Sequence, residues 1–175
     1  MTNSHNGIFL DRDGVINERR DDYAKSISEL KIFPHVGQSI QKLHELGFIV
    51  IVITNQSAIN RGLITHEQLQ KIHDKIQENL ELSETKIDAF YYCPHTPEES
   101  CYCRKPKSGL ILEATSEWNI NLDSSWFFGD SESDIIAGKS AGCKVIFSSN
   151  SSAVDLSVVI SLISIPIQVA VSLAI

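Results

Sequence analysis

A chain of 175 residues, 42% hydrophobic and 21% charged, has the composition of one soluble globular domain with a full core. Its formal net charge of −7 argues against non-specific nucleic-acid binding, since the adjacent basic pairs are Arg19-Arg20 and Arg104-Lys105. Small anionic ligands stay open if a divalent cation and a few local bases reverse the field at a site. Met1 to Gly7 is polar and no signal peptide is expected. Cys93, Cys101, Cys103 and Cys143 do not read as a disulfide framework, so a reducing cytoplasm is the expected compartment.

Strand and helix patterns alternate along the chain. The apolar run Ile8–Leu10 is the first expected strand, and it leads straight into Asp11-Arg12-Asp13-Gly14. In extended chain alternate side chains share a side, so Asp11 and Asp13 are expected to face one pocket, with Gly14 turning the backbone beneath a ligand. Val36 to Leu46 puts Ile40, Leu43 and Leu46 on one helical face, closed by Gly47. Phe48–Ile53 is the next strand and ends at Thr54-Asn55-Gln56-Ser57. Thr65 and Gln68 form a capping box that starts a helix through about Leu80.

Ala89–Tyr92 reads as a strand, Gly109 to Trp118 as a helix, and Trp126–Gly129 as a strand. The acidic turn Asp130-Ser131-Glu132-Ser133-Asp134 then opens a helix expected from Asp134 to Ala141, with Gly142 closing it and Lys144–Phe147 as a further strand. From Leu156 to Ile175 the chain has no charge, but its serines, Gln168 and Pro166 argue against a membrane span. A last strand near Leu156–Ile160 and a terminal apolar segment packed on the body are expected instead. The fold class is α/β: a Rossmann-like, doubly wound parallel sheet forming a single domain over 1–175, with active groups at the carboxyl ends of the strands.

Four segments at strand ends carry residue types that phosphoryl transfer needs. Asp11 and Asp13 suit metal-assisted attack on phosphorus. Thr54, Asn55, Gln56 and Ser57 offer hydroxyl, amide and backbone donors for phosphate oxygens. Arg104 and Lys105 supply positive charge, and Asp130 with Asp134 can complete an oxygen cage for Mg²⁺. Each alone reads equally well as a turn or a helix cap; all of them in this order at strand ends do not.

Beside the cationic pair, Cys93-x-His95 and Cys101-x-Cys103 place three thiolates and an imidazole in one loop. That set suits tetrahedral Zn²⁺, and Cys101 and Cys103 are too close in sequence to favour a mutual disulfide. With four protein ligands its role would be structural, fixing Arg104 and Lys105 at the pocket. Cys143 reads as core, and His5, His35, His44, His66 and His73 show no ligand spacing.

The order DxDG, strand-Thr54-Asn55, Lys105 and Gly129-Asp130 to Asp134 resembles the haloacid dehalogenase superfamily phosphatases. Leu10 to Asn17, Thr54 to Gly62, and Cys93-Pro94-His95 with Cys101 to Pro106 are similar to the D-glycero-D-manno-heptose 1,7-bisphosphate phosphatase and histidinol-phosphate phosphatase branch, over about residues 7–149. The resemblance implies a haloacid dehalogenase-like domain with no large cap, carrying a zinc-binding loop over 93–103. It implies Asp11 as nucleophile, Asp13 as general acid and base, and an aspartyl-phosphate intermediate. Mg²⁺ would be held by Asp11, the carbonyl of Asp13 and Asp130, with Asp134 behind them.

Thr54, Asn55 and Lys105 would bind the phosphoryl oxygens, Arg104 the distal phosphate, and Arg19, Arg20, Asp21, Asp22 and Tyr23 would line the pocket with Gln56, Ser57 and Ser131. The chain departs from that pattern at Val15, often Thr in the superfamily, and at Ser131, where many heptose-type members carry Lys. The implied partner is a small phosphorylated sugar, with neither nucleic acid nor membrane, and a monomer is expected. The short gap between His95 and Cys101 favours histidinol phosphate as the alternative substrate, whereas Gln56 to Gly62 favours the heptose branch. A zinc-stabilised binding module without turnover is the non-enzyme alternative, and the joint presence of Asp11, Asp13, Lys105 and Asp130 argues against it.

Overall fold

The computed structural model describes residues 4–147. The strand and terminal segment expected within 156–175 lie outside the described residues.

The elements alternate in chain order: β1 (Asn6–Leu10), α1 (Val36–Glu45), β2 (Phe48–Asn55), α2 (His66–Glu81), β3 (Ala89–Cys93), α3 (Gly109–Trp118), β4 (Trp126–Gly129), α4 (Glu132–Ala141) and β5 (Lys144–Phe147). The strands form a parallel sheet in the order β3-β2-β1-β4-β5. β1 and β2 are apolar at nearly every position because a parallel sheet buries both of its faces. Ile8, Leu10, Val50 and Val52 pack on one side with Ile40 and Leu43 of α1 and Ile72, Ile76 and Leu80 of α2. Phe9, Ile51, Ile53 and Phe127 pack on the other side with Leu110, Ile111 and Ala114 of α3 and Ala137 of α4.

After β1 the chain moves outward through β2 to β3, then returns to the opposite flank of β1 as β4. That reversal opens a crevice at the carboxyl ends of β1 and β4, where ligands of open α/β sheets bind. Among the described residues no helix is long and apolar enough to cross a membrane.

β1 starts earlier, at Asn6, and β3 runs on to Cys93, but the boundaries that bear on the site are those of β2 and α4. β2 continues through Thr54 and Asn55, paired with Tyr92 and Cys93 of β3, so both sit on the strand rather than after it. α4 begins at Glu132 instead of Asp134 because Ser131 is its N-cap and Asp134 closes a capping box, a Ser-x-x-Asp signal that the run of acidic residues obscured.

Candidate active site

β1 ends at Leu10, so Asp11 to Asp13 lie beyond the strand and their shared orientation does not come from strand alternation. It comes from a tight turn in which the Arg12 carbonyl accepts from Val15, Ile16 and Asn17, and the Gly14 N–H donates to Asn17 O at 2.7 Å. Gly14 adopts φ +92°, and a Cβ there would stand 2.0 Å from Asp130 Oδ2, so neither the conformation nor the space admits a side chain. Val15, at the position of the missing threonine, is fully buried in the core.

Lys105 is the hub. Its buried Nζ meets Asp11 Oδ1 at 2.8 Å and Asp134 Oδ1 at 2.7 Å, and donates to Ile53 O at 2.7 Å. The Asn55 amide clamps the Lys105 peptide from both sides, donating to its carbonyl and accepting its N–H, each at 3.1 Å. Burial disfavours the ammonium, but Asp11 and Asp134 outweigh it and raise its pKa. Asp11 also accepts the Arg12 N–H on Oδ1 at 2.7 Å. Burial raises the pKa of the Asp11 carboxyl despite the opposing pull of Lys105, so a cation here has work to do in keeping it ionised.

Asp13 is treated differently. Burial works to raise its pKa as well, yet Arg12, Asn17 and Gln56 together lower it. Asp130 has its carboxyl raised by burial, only partly offset by Arg19, which reaches it at 3.2 Å. Oxygens of Asp11, Asp130 and Asp134 lie within 4.8 Å of one another, a hard-donor set fitting a divalent cation such as Mg²⁺. Asp134 is fully buried and occupied by Lys105 and the α4 cap, whereas Asp130 is held by Arg19 alone among the contacts described, which favours Asp130 as the direct ligand.

Asp11, Asp13, Lys105 and Asp134 open onto a cleft of about 310 Å³, whereas Asp130 stands behind Arg19 and is not among its lining residues. Asp11, Asp13, Arg19, Arg20, Asp21, Tyr23, Thr54, Asn55, Ser57, Arg104, Lys105, Ser131 and Asp134, all expected from sequence, line it together with Ser133, which was not. Two expected lining residues do not reach it. Gln56 is buried and turned inward, donating from Nε2 to Asp13 Oδ2 at 2.8 Å and Thr54 Oγ1 at 2.9 Å. Asp22 is exposed and paired outward with Arg20 and Lys25. The Ser131 hydroxyl is committed to Asp134 Oδ2 at 2.6 Å, so it steadies that carboxylate before it can meet a ligand.

Arg12 and Asn17 are the residues that sequence reading passed over. Arg12 was given no role, yet it is the largest fully buried side chain among the described residues. The spacing of Asn17 four residues after Asp13, at the end of a glycine turn, was the available signal for its contact.

Next to the cleft, Cys93, His95, Cys101 and Cys103 gather at the exit of β3. Their closest ligand atoms stand 3.2–3.5 Å apart, near the edge of roughly 3.4–3.8 Å that a tetrahedron of zinc–thiolate and zinc–imidazole bonds requires. The cluster is tied to the cleft twice: the Gln56 N–H donates to Cys93 O at 2.7 Å, and Arg104 Nη1 donates to His95 O at 3.0 Å.

A lysine joining two buried acids at the switch point of a parallel sheet is an arrangement of haloacid dehalogenase-type phosphatases. Comparison with known proteins narrows the class. The family described as polynucleotide kinase 3 phosphatase matches residues 8–164. A D-glycero-beta-D-manno-heptose-1,7-bisphosphate 7-phosphatase of Helicobacter pylori J99 is 40% identical over 82% of this chain and 83% of its own. The corresponding Yersinia pestis protein is 36% identical over 83% and 82%.

Among solved structures, the D,D-heptose 1,7-bisphosphate phosphatase of B. bronchiseptica complexed with magnesium and phosphate superposes with a TM-score of 0.77 at 36% identity, covering 80% of this chain and 78% of that one. The Burkholderia thailandensis D,D-heptose 1,7-bisphosphate phosphatase gives 0.61 at 25% identity over 88% and 98%. The chain belongs to the heptose 1,7-bisphosphate phosphatase family of the haloacid dehalogenase superfamily.

Proposed function

We propose that this protein removes the 7-phosphate of D-glycero-D-manno-heptose 1,7-bisphosphate through an aspartyl-phosphate on Asp11. The observation that carries the reading is Lys105 Nζ at 2.8 Å from Asp11 Oδ1, with the Asp130 carboxylate within 4.8 Å of the Asp11 one. The hydrogen-bonded contacts of Asp11 fall on Oδ1, so Oδ2 is the attacking oxygen. It forms a bond to phosphorus as the bond to the C7 oxygen breaks, and Asp13 gives that oxygen its proton. Asp13 then takes a proton from water, whose oxygen attacks phosphorus and frees Asp11 and inorganic phosphate. Lys105 offsets charge on the phosphoryl oxygens in both steps, with the Thr54 hydroxyl beside it.

Mg²⁺ would be held by Asp11, the Asp13 carbonyl and Asp130, and when bound it reduces the repulsion between a carboxylate nucleophile and an anionic phosphate. Arg104, Arg19 and Arg20 line the same cleft and would take the second phosphate. Cys93, His95, Cys101 and Cys103 would hold Zn²⁺ in a closed shell that braces Arg104 and Lys105. The free thiols suit a reducing cytoplasm, and the small α/β body suits a monomer.

A Mg²⁺-dependent phosphate-release screen tests the reading. It takes both anomers of heptose 1,7-bisphosphate, histidinol phosphate, hexose bisphosphates and an oligonucleotide bearing a 3′-phosphate. A heptose bisphosphate is expected to have the highest kcat/KM, and Asp11→Asn to lower turnover at least about 10⁴-fold with unchanged circular dichroism. Faster turnover of any other member of the panel would sink the substrate assignment, and an active Asp11→Asn the covalent route.

A further inference from the structure

Every hydrogen-bond donor around the Asp13 carboxyl is supplied by a side chain outside the set assigned to substrate or metal. Arg12 grips both oxygens through Nη2, at 2.9 Å to Oδ1 and 2.8 Å to Oδ2, with Nε a further 3.3 Å from Oδ1. Asn17 Nδ2 donates to Oδ1 at 2.9 Å, and Gln56 Nε2 donates to Oδ2 at 2.8 Å. The Asp13 side chain keeps 27% of its surface open to the cleft, whereas its Arg12 partner keeps 1%. The arginine therefore supports the acid from within the protein and cannot itself meet a ligand.

Burying a guanidinium is costly, and here the cost is incompletely met. Arg12 Nη1 has no partner among the described residues, and neither does the buried His73 Nε2. A stability argument alone would favour an apolar side chain at position 12. We propose that Arg12 and Gln56 are positioning residues of the phosphatase reaction: they lock the Asp13 carboxyl in the orientation from which it protonates the leaving oxygen. The assignment rests on the acid role given to Asp13 above. Neither residue touches substrate, so both act on the phosphoryl-transfer step and leave substrate binding unaltered.

The test uses leaving groups of different need. Expulsion of the heptose C7 alkoxide requires a proton, whereas p-nitrophenolate leaves without one, and kcat/KM reports only the steps through the first phosphoryl transfer. Arg12→Lys keeps the charge but loses the fork, and Gln56→Met keeps the volume but loses the donor. Arg12→Lys is expected to lower kcat/KM for heptose bisphosphate about 30- to 100-fold, through kcat rather than KM, and that for p-nitrophenyl phosphate less than about threefold. Gln56→Met should show the same selectivity at about three- to tenfold, and it decides the matter if the arginine variant does not fold.

Asp13→Asn is the reference. If it discriminates between the substrates while Arg12→Lys and Gln56→Met slow both equally, these residues are merely structural and the inference is overturned. If Asp13→Asn shows no discrimination, the acid role itself fails and the inference falls with it.

Discussion

The cleft gathers carboxylates and the cysteine cluster gathers thiols at strand exits, and the two are held together by different means. In the cleft the polypeptide brings its own cations: Lys105 joins Asp11 to Asp134, and Arg12 is folded under Asp13. In the cluster no lysine or arginine side chain contacts the sulfurs of Cys93, Cys101 and Cys103 among the bonds described; Arg104 donates to the His95 carbonyl and Lys107 to the carbonyls of Ser100 and Cys101. The cleft is thus tied together by its own charges, whereas the cluster would rely on the Zn²⁺ proposed for it. The difference teaches where each region will fail.

The cleft is broken most severely from its hub. Lys105→Met leaves two buried carboxylates facing each other, and we expect a loss of about 3–5 kcal/mol in urea unfolding with a fall of at least about 10²-fold in kcat. An unchanged midpoint would show that the ammonium is not what holds Asp11 and Asp134 together. The cluster is broken by Cys103→Ser or by a strong chelator. Zinc content measured by atomic absorption should drop from about one per chain to near zero, and the loop 93–103 should become the first site of proteolysis. kcat should fall about tenfold as Arg104 and Lys105 lose their brace, while amide protection in β1 and β2 persists. Loss of protection across the whole sheet would erase the distinction between the regions.

The smallest effect lies behind the cleft, in a group whose charge is met by neither strategy. His73 stacks on Phe90 at 4.3 Å, and burial, reinforced by the positive charge of Arg12, lowers its pKa to about 3. The unfolded chain takes up this proton near pH 6.5 and the folded one does not, so the stabilisation from a neutral His73 is complete above that pH. It is lost progressively as pH falls from 6.5 towards 3. His73→Gln should make stability in that window less steep by up to about 1.4 kcal/mol per pH unit, read from denaturant midpoints. A slope equal to that of the parent protein would mean that His73 titrates normally.

Much of this was legible in the primary structure because strand ends and chemical motifs coincide. The apolar runs of β1, β2 and β4 stop where Asp11, Thr54 and Asp130 begin, and the runs themselves locate these ends. What was not legible is which way a polar side chain turns once the strand is over. Gln56 and Ser57 are neighbours of like polarity, yet one is spent on Asp13 and the other lines the cleft beside Tyr23. Arg12 carries no local signal of its burial, which shows only in its grip on Asp13. Asp22 reads as part of a pocket loop until Arg20 and Lys25 draw it outward. These directions are set by partners distant in sequence or by competition within a loop, and no local pattern encodes them.

The turn at Gly14 carries a consequence for how this protein tolerates change. A single added methyl group would stand 2.0 Å from an Asp130 oxygen, in a backbone conformation that already resists one. Fragility in the cleft is therefore not confined to charged residues: a position with no side chain at all, where two strand exits come together, resists even alanine.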